Sequence, residues 1–487
     1  MRRRGLGAAA TLVAVYLAGA AAWAAPPPEG RCPQASGAAR GKANPDAAAP
    51  ILKEGGLVHF ADLLRLAQLL PRPVWSHRDA FFYDGMLMRI GSCHRRYPVP
   101  SFYSEATRKF SGQVSLDKRG NLKGYVAGIP FPPESIDPKE PRAALKWAWN
   151  LQHRYLGAGP VGRFKLLVLP GRIGKPQTYI GDFYYIQTGN RSDLIASDYR
   201  VPESTRTLWV AGGRFDEPFN ARHIAWRQLR PRKADENWKE PDDTFIYVPE
   251  MRKPRRAATA WVDGLYTPRY RVAGEAGGGG VPFGTGGSQY APSLNSIQPT
   301  AGLSIQASEN IRRGFTGLAI RPNAYDWVML GEREVLAPLN TEKPGWPVYE
   351  DRNYGPSGLS IASDRWDVRW AVVIRGRARR VIDEVAFVTL WIDWQTQQPL
   401  YYITHRKNGF VLDIGILGYQ WSGDRADYPT WPGGETARVF DPVVATFYYV
   451  PGGGFGWRRE SYDVRSVPID PARLRKLTST DSLVHGH

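Results

Sequence analysis

The chain has 487 residues, a formal net charge of +18 and only two cysteines. Its length allows a sizeable core and two or three domains, although large β proteins often form one unit. Aromatic residues make up 12% of the chain, which favours β structure. Beyond the N-terminal leader, no apolar run is long enough to cross a bilayer as a helix, which argues against a helical membrane protein.

Residues 1–24 are predicted to be a cleaved signal peptide. Arg2–Arg4 precede an apolar stretch from Leu6 to Ala22, and Ala22-Trp23-Ala24 has the small-x-small form of a signal-peptidase site. An N-terminal membrane anchor is the alternative, but the Gly- and Ala-rich stretch is only weakly hydrophobic. We therefore expect a periplasmic protein, with outer-membrane association as a further option.

Export changes what the positive charge implies. A secreted basic protein meets anionic lipid head groups, acidic glycans or acidic proteins rather than nucleic acid. The simpler interpretation is that the charge keeps the protein soluble. In an oxidising compartment, Cys32 and Cys93 could pair and join the N-terminal tail to the domain.

The predicted elements begin with a flexible lead-in, rich in Pro, Ala and Gly, over residues 25–50. An amphipathic helix is predicted over 56–70 and a second over 141–157, the first ended by a proline and the second by a glycine. The Gly-rich stretch 274–295 is predicted to be a flexible insertion, and residues 470–477 a short helix. Residues 479–487 are expected to be a disordered tail.

Strands account for most of the remaining pattern, because Val-, Ile- and aromatic-rich runs alternate with turn residues. They are predicted at residues 164–169, 182–188, 206–210, 223–229, 244–248, 369–374, 384–393, 399–405, 409–417 and 443–450. Residues 389–403 are predicted to form one hairpin. The fold class is therefore mainly β (α+β): one domain over 51–478, built on a large curved antiparallel sheet whose apolar face needs a cover.

No pattern of catalytic, cofactor-binding or metal-binding residues stands out, so we predict a protein that is not an enzyme. The histidines and cysteines lack zinc-site spacing. Paired carboxylates for sugar chemistry can lie far apart in a chain, and Glu217, Asp326 and Glu334 lie near aromatic residues. Solvated or capping acids are the commoner explanation. Aromatic side chains also stack on sugars, although core packing is the simpler role.

Three ordered blocks of residues resemble a family of secreted bacterial proteins, domain of unknown function 1329, which is similar to the lipoprotein carriers LolA and LolB. The first block is Gly128-Ile129-Pro130-Phe131-Pro132, then Trp149-Asn150 and Arg154-Tyr155-Leu156-Gly157. The second is Tyr247-Val248-Pro249 with Arg252, Arg255 and Arg256. The third comprises Phe315, Gly317, Tyr325, Asp326, Trp327, Gly331, Glu334, Pro338 and Asn340. A looser block, 365–409, lacks the family's usual acidic run.

The resemblance implies an incomplete β-barrel with helices across its open side and an apolar ligand in its interior. It also implies partners, a resistance-nodulation-division exporter and an outer-membrane protein, and contact with a membrane surface is compatible with it. The leading hypothesis is a periplasmic carrier or chaperone for a lipid-like ligand. An envelope scaffold protein and a carbohydrate-binding or carbohydrate-active protein are the alternatives.

Candidate ligand-binding residues follow from these hypotheses. The apolar lining is predicted to include Phe387, Leu390, Trp391, Tyr402, Phe410 and Phe447, all of which could equally be ordinary core residues. Arg252, Arg255 and Arg256 could hold an anionic head group or an acidic partner. Alternatively, these arginines pair with acids of the same chain, such as Asp242, Asp243, Asp263 or Glu334.

Overall fold

The computed structural model of the protein describes residues 26–33, 52–169, 176–195, 198–201, 206–249, 252–256, 265, 271–272, 303–304, 317–345, 353–382, 385–452, 456–479 and 481–485. The predicted signal peptide and the Gly-rich stretch 274–295 lie outside these residues. In the part of the chain that is described, no helix is both long and apolar enough to cross a membrane.

The described residues form nineteen strands: β1 (Leu57–Val58), β2 (Met88–Cys93), β3 (Ser115–Leu116), β4 (Leu122–Lys123), β5 (Val161–Leu169), β6 (Gln177–Gln187), β7 (Thr207–Glu217), β8 (Ala225–Pro231), β9 (Asp243–Tyr247), β10 (Arg255–Arg256), β11 (Arg271–Val272), β12 (Leu303–Ser304), β13 (Tyr325–Ala337), β14 (Arg365–Ile382), β15 (Val385–Asp393), β16 (Pro399–His405), β17 (Val411–Trp421), β18 (Phe440–Tyr449) and β19 (Gly456–Arg465). The pairs β3–β4 and β11–β12 are separate small sheets.

Helices are short in the described residues. The α-helices are α1 (Arg72–Ser76), α2 (Arg78–Phe81), α3 (Ser101–Phe110), α4 (Ala143–Gln152), α5 (Lys233–Glu236), α6 (Pro471–Thr478) and α7 (Ser482–His485). The 3-10 helices are Phe60–Leu69, Ser111–Gln113, Pro133–Ser135, Phe219–Ala221, Pro322–Ala324, Ser422–Asp424 and Val450–Gly452.

The other fifteen strands form one sheet that does not close into a barrel. Its order is β1-β2-β14-β15-β16-β17-β18-β19-β5-β6-β7-β8-β9-β10, with β13 also paired to β14. All neighbours in this sheet are antiparallel except β2 and β14, which are parallel. The prediction of a large, unclosed and mainly antiparallel sheet is confirmed.

The middle of the sheet is buried on both faces. Every residue of β16 is buried, and β15 and β18 are buried over nearly their whole length. Helix α4 packs on β13 and β14 and buries both of its tryptophans. The indole N–H of Trp149 donates to the Gly120 carbonyl at 3.1 Å, which satisfies its one donor inside the core. These strands therefore read as near-continuous apolar runs in the sequence.

The predicted helix over 56–70 differs from the structure. Its first residues form β1, and the rest is the ten-residue 3-10 helix. The buried residues Leu63, Leu66 and Leu69 recur every three positions, which matches the three residues per turn of a 3-10 helix. Leu64, which lies outside this row of every third residue, is 71% exposed.

Most other predicted elements are present. The hairpin over 389–403 is formed by β15 and β16, with Leu390 opposite Tyr402. Helix α4 lies inside the helix predicted over 141–157, and α6 matches the helix predicted over 470–477 to within one residue at each end. In the stretch expected to be a disordered tail, α7 packs on β8 and β9, and Leu483 is fully buried. The guanidinium of Arg214 donates to the Leu483 carbonyl at 3.1 Å, which fixes the helix to the sheet.

Candidate functional site

The predicted apolar lining residues lie on neighbouring strands but on two faces of the sheet. Leu390 is directly opposite Tyr402, Tyr402 is opposite Gly415, and Gly415 is opposite Phe447. Leu390, Tyr402 and Phe447 therefore form one lateral row on one face. Because side chains alternate along a strand, Trp391 and Phe387 point to the other face.

The exposure of the predicted lining residues also differs. Leu390, Trp391, Tyr402 and Phe447 are buried in the largest core cluster, and Phe387 is half-buried. Phe410 lies apart from them before β17 and is 45% exposed. The structure thus brings four of the six residues into one core cluster, which includes side chains on both faces of the sheet.

The predicted arginine cluster lies at the edge of the sheet. Arg255 and Arg256 are strand β10, which pairs with β9, and both are exposed. Arg256 forms an ion pair with Asp243, one of the acids expected as partners. Asp263 lies outside the described residues. Positive side chains are a common way to protect an edge strand from pairing with other chains.

Two other acids expected near that cluster have partners elsewhere. Asp242 is buried and bridges Arg230 at 3.0 Å and Arg321 at 2.6 Å. Burial opposes its ionisation, but the two guanidinium groups prevail and lower its pKa. The Glu334 carboxylate lies 3.0 Å from Nε2 of His94.

The first motif block of the sequence holds the loop around Phe131 against helices α3 and α4. The side chain of Asn150 on α4 accepts from the Phe131 N–H at 3.0 Å and donates to the Phe131 carbonyl at 2.5 Å. Gly128 has φ +83°, and a Cβ there would come within 2.5 Å of the Thr107 nitrogen. The block therefore needs Gly and Asn at these positions to hold the loop against the helices.

Arg154, from the same block, follows α4 and is 1% exposed. Its Nε donates to the Gln398 side chain at 2.9 Å, and its Nη1 to the Leu151 carbonyl at 2.7 Å. Its Nη2 donates to the carbonyls of Gly317 and Leu318 at 2.9 and 3.3 Å. All four acceptors are neutral, and burial lowers the pKa of the guanidinium.

The pocket that Arg154 lines is small and polar. The volume available to the centre of a water molecule inside it is about 30 Å³. One water needs roughly 10–15 Å³ on this measure, so the pocket has room for about two or three waters. The main lining residues are Tyr103, Tyr125, Gln152, His153, Arg154, Tyr155, Tyr185, Asn190, Arg191, Ser192, Asp193 and Trp209.

Three polar groups on these lining residues have no hydrogen-bond partner of ordinary geometry among the described residues. They are the hydroxyls of Tyr185 and Ser192 and the indole N–H of Trp209. All three side chains are at least nine-tenths buried. Burial raises the pKa of Tyr185 to about 12, although Arg154, Arg230 and a contact with the Gln152 side chain, outside ordinary hydrogen-bond geometry, act in the opposite direction.

Most of this pocket was not identifiable from the sequence. The resemblance singled out Arg154, Tyr155 and Gly157 without indicating a pocket. Tyr185 and Trp209 lie in runs that read as aromatic strands, and Ser192 lies in a loop with no motif. Their approach depends on the pairing of β6 with β7, where the ring centroids of Tyr185 and Trp209 are 5.3 Å apart.

Of the three acids considered for sugar chemistry, Asp326 and Glu334 have ordinary structural partners, and Glu217 is the exposed last residue of β7. Asp326 forms ion pairs with Arg377 at 3.2 Å and Arg379 at 3.1 Å on the neighbouring strand. Glu334 lies on the same strand and contacts His94. Within the described residues, no group of three or more His, Cys, Asp or Glu side chains has the arrangement of a metal site.

The two cysteines form a disulfide in the structure. Cys32, in the short described segment 26–33, is joined to Cys93 at the end of β2, with Cα atoms 5.1 Å apart. The N–H of Gly30 also donates to the Cys93 carbonyl at 2.8 Å. The N-terminal segment is therefore held at the edge of the sheet.

Comparison with known proteins supports the resemblance. The family model described as a protein of unknown function (DUF1329) matches residues 80–271, less than half of the chain. An uncharacterised protein of Pseudomonas aeruginosa is 23% identical over 262 residues, which are 53% of this chain and 46% of that protein. The chain thus spans about half the length of the curated relative it matches. The predicted family resemblance is confirmed.

Three solved structures are similar at 11% identity. A domain proposed to sort outer-membrane lipoproteins in Vibrio parahaemolyticus has a TM-score of 0.37, with 69% of this chain and 98% of that chain covered. A DUF1329 family protein from Desulfovibrio piger has a TM-score of 0.36, with 72% and 97% covered. A LolA superfamily protein from Nitrosomonas europaea has a TM-score of 0.30, with 69% and 96% covered.

Proposed function

We propose that this protein is a non-enzymatic periplasmic carrier or chaperone for a hydrophobic, lipid-like ligand and that it works with an envelope export system. A resistance-nodulation-division exporter and an outer-membrane protein are the proposed partners. The family resemblance to lipoprotein carriers supports this proposal, and the Cys32–Cys93 disulfide is compatible with an oxidising compartment.

The observation that carries the proposal is how the sheet is covered. Between β1 and β2 the chain leaves the sheet as a segment of short helices, residues 59–87, which we call the flap. Both ends of the flap are held, because Leu57 pairs with Arg89 and Val58 with Met88. The flap is therefore anchored to the sheet at both ends.

The flap lies over the face that carries Phe387 and Trp391. Phe81 of α2 packs edge-on against Tyr448, with ring centroids 6.0 Å apart. Tyr448 is opposite Ile414, and Ile414 is opposite Ile403, which in turn is opposite Thr389. Thr389 lies between Phe387 and Trp391 on their face of β15. Displacement of the flap would expose branched aliphatic and aromatic side chains, the surface that an acyl chain would bind.

Native mass spectrometry of the mature protein, purified gently from its own envelope, tests this function directly. The same sample is measured before and after extraction with organic solvent. A stoichiometric apolar molecule that the extraction removes is the expected result. Bare protein in both samples, with no uptake when envelope lipids are added back, would contradict the carrier function.

A substitution can test the proposed surface. Phe387→Asp places a carboxylate at a half-buried position on the face under the flap, and we expect weaker uptake of an apolar dye. Phe219→Asp makes the same change elsewhere and is the control, because Phe219 is 81% exposed and follows β7, which several strands separate from β15 in the sheet. Equal dye uptake by the folded Phe387→Asp and Phe219→Asp variants would exclude this surface as the ligand site.

An envelope scaffold protein is the second candidate, and one observation favours it. Leu390, Trp391, Tyr402 and Phe447 all belong to a continuous core that the protein's own side chains fill. A scaffold needs no ligand space, and its failure to bind lipid in the same mass-spectrometry experiment would distinguish it from a carrier.

A further inference from the structure

The pocket around Arg154 differs in charge and in hydrogen bonding from an ordinary water-filled depression of a protein surface. We propose that it is a binding site for an oxyanion group, a phosphate or a carboxylate. The inference is independent of the carrier function, because the pocket is polar and involves none of the predicted apolar lining residues. A scaffold protein could have the same site.

Charge is the first argument. Arg154 is buried, and all its hydrogen bonds within the described chain go to neutral oxygens. Among the other lining residues, Arg191 is already paired with Asp193 at 2.6 Å. One positive charge at the pocket thus lacks a contacting carboxylate. A buried charge without a counter-charge is unfavourable, and an anion in the pocket would offset it.

The remaining N–H of Arg154 is the second argument. A guanidinium has five N–H groups, and the bonds of Nε, Nη1 and Nη2 to Gln398, Leu151, Gly317 and Leu318 use four of them. One N–H on Nη1 is left for a further acceptor. Arginine is well suited to phosphate and carboxylate oxygens, because its N–H groups are charged and fixed in one plane.

The unpartnered donors are the third argument. More than nine in ten buried polar groups in proteins have a hydrogen-bond partner, so three exceptions on one pocket require an explanation. The Trp209 indole can only donate, and the hydroxyls of Tyr185 and Ser192 can donate as well. A ligand group with several acceptor oxygens and no donor is the chemical match for this set of donors together with Arg154.

Size limits the ligand group. Room for two or three waters is on the scale of one phosphate or carboxylate and too small for a sugar ring or an acyl chain. The pocket is partly open to solvent, so the rest of a larger ligand could extend outward. Ordered waters could also accept from these donors, but neutral water would leave the charge of Arg154 without an opposite charge.

Isothermal titration calorimetry with inorganic phosphate and with acetate, at constant ionic strength set by sodium chloride, tests the site on the full mature protein. We expect saturable binding of one anion per chain. Tyr185→Phe removes one donor and keeps the ring, whereas Trp209→Phe removes the indole N–H and leaves a smaller ring. Each change is expected to weaken binding by roughly ten- to a hundredfold.

Tyr184→Phe is the matched control. Tyr184 is the neighbour of Tyr185 on β6 and is equally buried, but it faces the opposite side and contacts Arg227. It should bind the anion like the wild type. Circular dichroism confirms that each variant is folded, and Ser192→Ala provides a third, smaller change if an aromatic variant does not fold.

A second titration distinguishes the source of the anion. Dihexanoyl phosphatidic acid, used below its micelle-forming concentration, presents a phosphate on a lipid. Tighter binding of this lipid than of inorganic phosphate, lost in the same variants, would identify a lipid head group as the ligand. Equal or weaker binding would identify a free anion.

Two results would overturn the proposal. One is the absence of binding of phosphate, acetate and the lipid to the folded wild-type protein. That outcome would mean that the donors at the pocket are simply unsatisfied. The other is binding that is unchanged in both variants, which would place the anion elsewhere on this basic protein.

Discussion

His405 should make the stability of the protein depend on pH. It is 6% exposed at the end of β16, and its Nε2 lies 3.0 Å from the Thr389 hydroxyl. Its Nδ1 lies 3.4 Å from the Gly409 carbonyl, an acceptor, so Nδ1 carries the hydrogen of the neutral ring. Arg375 Nε donates to the Thr389 oxygen at 3.0 Å, which leaves the Thr389 hydroxyl hydrogen free to bond Nε2. The neutral imidazole therefore fits this network.

Protonation of His405 would put a second donor and a second positive charge beside the Arg375–Thr389 contact. Burial, and then the nearby Arg375, lower the pKa of His405 from 6.5 to about 4. Between these two values the unfolded chain binds a proton that the folded protein does not. Stability is therefore fully present above pH 6.5 and decreases as the pH falls toward 4. Since one pKa unit corresponds to about 1.4 kcal/mol, this difference is worth about 3 kcal/mol.

Urea unfolding followed by tryptophan fluorescence, at pH steps from 7.5 to about 4, measures this contribution. The quantity of interest is the difference in unfolding free energy between wild type and His405→Gln, because other titrating groups cancel in it. We expect the unfolding free energy of the wild type to fall by about 3 kcal/mol relative to that of His405→Gln as the pH decreases from 6.5 to about 4. Arg375→Gln should reduce the change. A difference that does not vary with pH would refute the reasoning.

The other predictions concern different parts of the fold. Asp441 is buried against Ser466, and burial raises its pKa to about 6. Between pH 4 and 6 the folded protein therefore holds a proton that the unfolded chain has lost, and the contribution of Asp441 to stability falls as the pH rises. In the same urea assay, the unfolding free energy of Asp441→Asn should rise relative to that of the wild type by up to about 3 kcal/mol between pH 4 and 7. Replacing Cys32 and Cys93 by Ser removes a disulfide that closes a loop with a sequence separation of 61. We expect the unfolding free energy to fall by about 4 kcal/mol. Equal urea midpoints for the oxidised wild type and the double variant would contradict this prediction. Trp391→Asp, unlike Phe387→Asp, buries a carboxylate beside Tyr401 and should prevent folding, which circular dichroism would detect.

The strands that the sequence predicted well are those buried on both faces. Their long runs of Val, Ile and aromatic residues leave little ambiguity, as in β16 and β18. Strand β13 was not predicted as a strand, because its pattern is broken: Val328 and Leu330 are exposed and the register shifts between Met329 and Gly331. Apolar residues therefore occupy positions of β13 that face solvent, where an alternating strand pattern would have polar residues.

The candidate pocket depends on information that local sequence patterns do not contain. Arg154 is identifiable as a motif residue, but its acceptors include Gly317 and Gln398, which are distant in sequence. The polar groups of Trp209 and Tyr185 become buried without a hydrogen-bond partner only when β6 and β7 pair. In the same way, the division of the predicted apolar lining between two faces follows from strand register, which residue type alone does not reveal.

The carrier and scaffold functions differ in the free energy of one step, release of the flap. The flap buries eight large apolar side chains: Leu63, Leu66, Leu69, Leu70, Val74, Phe81, Phe82 and Met86. At roughly 1.5–3 kcal/mol for each of them, full release would cost at most roughly 12–24 kcal/mol. That is comparable to the whole stability of a typical domain, so spontaneous opening would be very rare. A carrier must therefore recover this free energy from an apolar ligand that replaces the flap, or from a partner that binds the open form. Dependence on such a partner is what a role beside an export system requires, whereas a scaffold would keep the flap closed throughout.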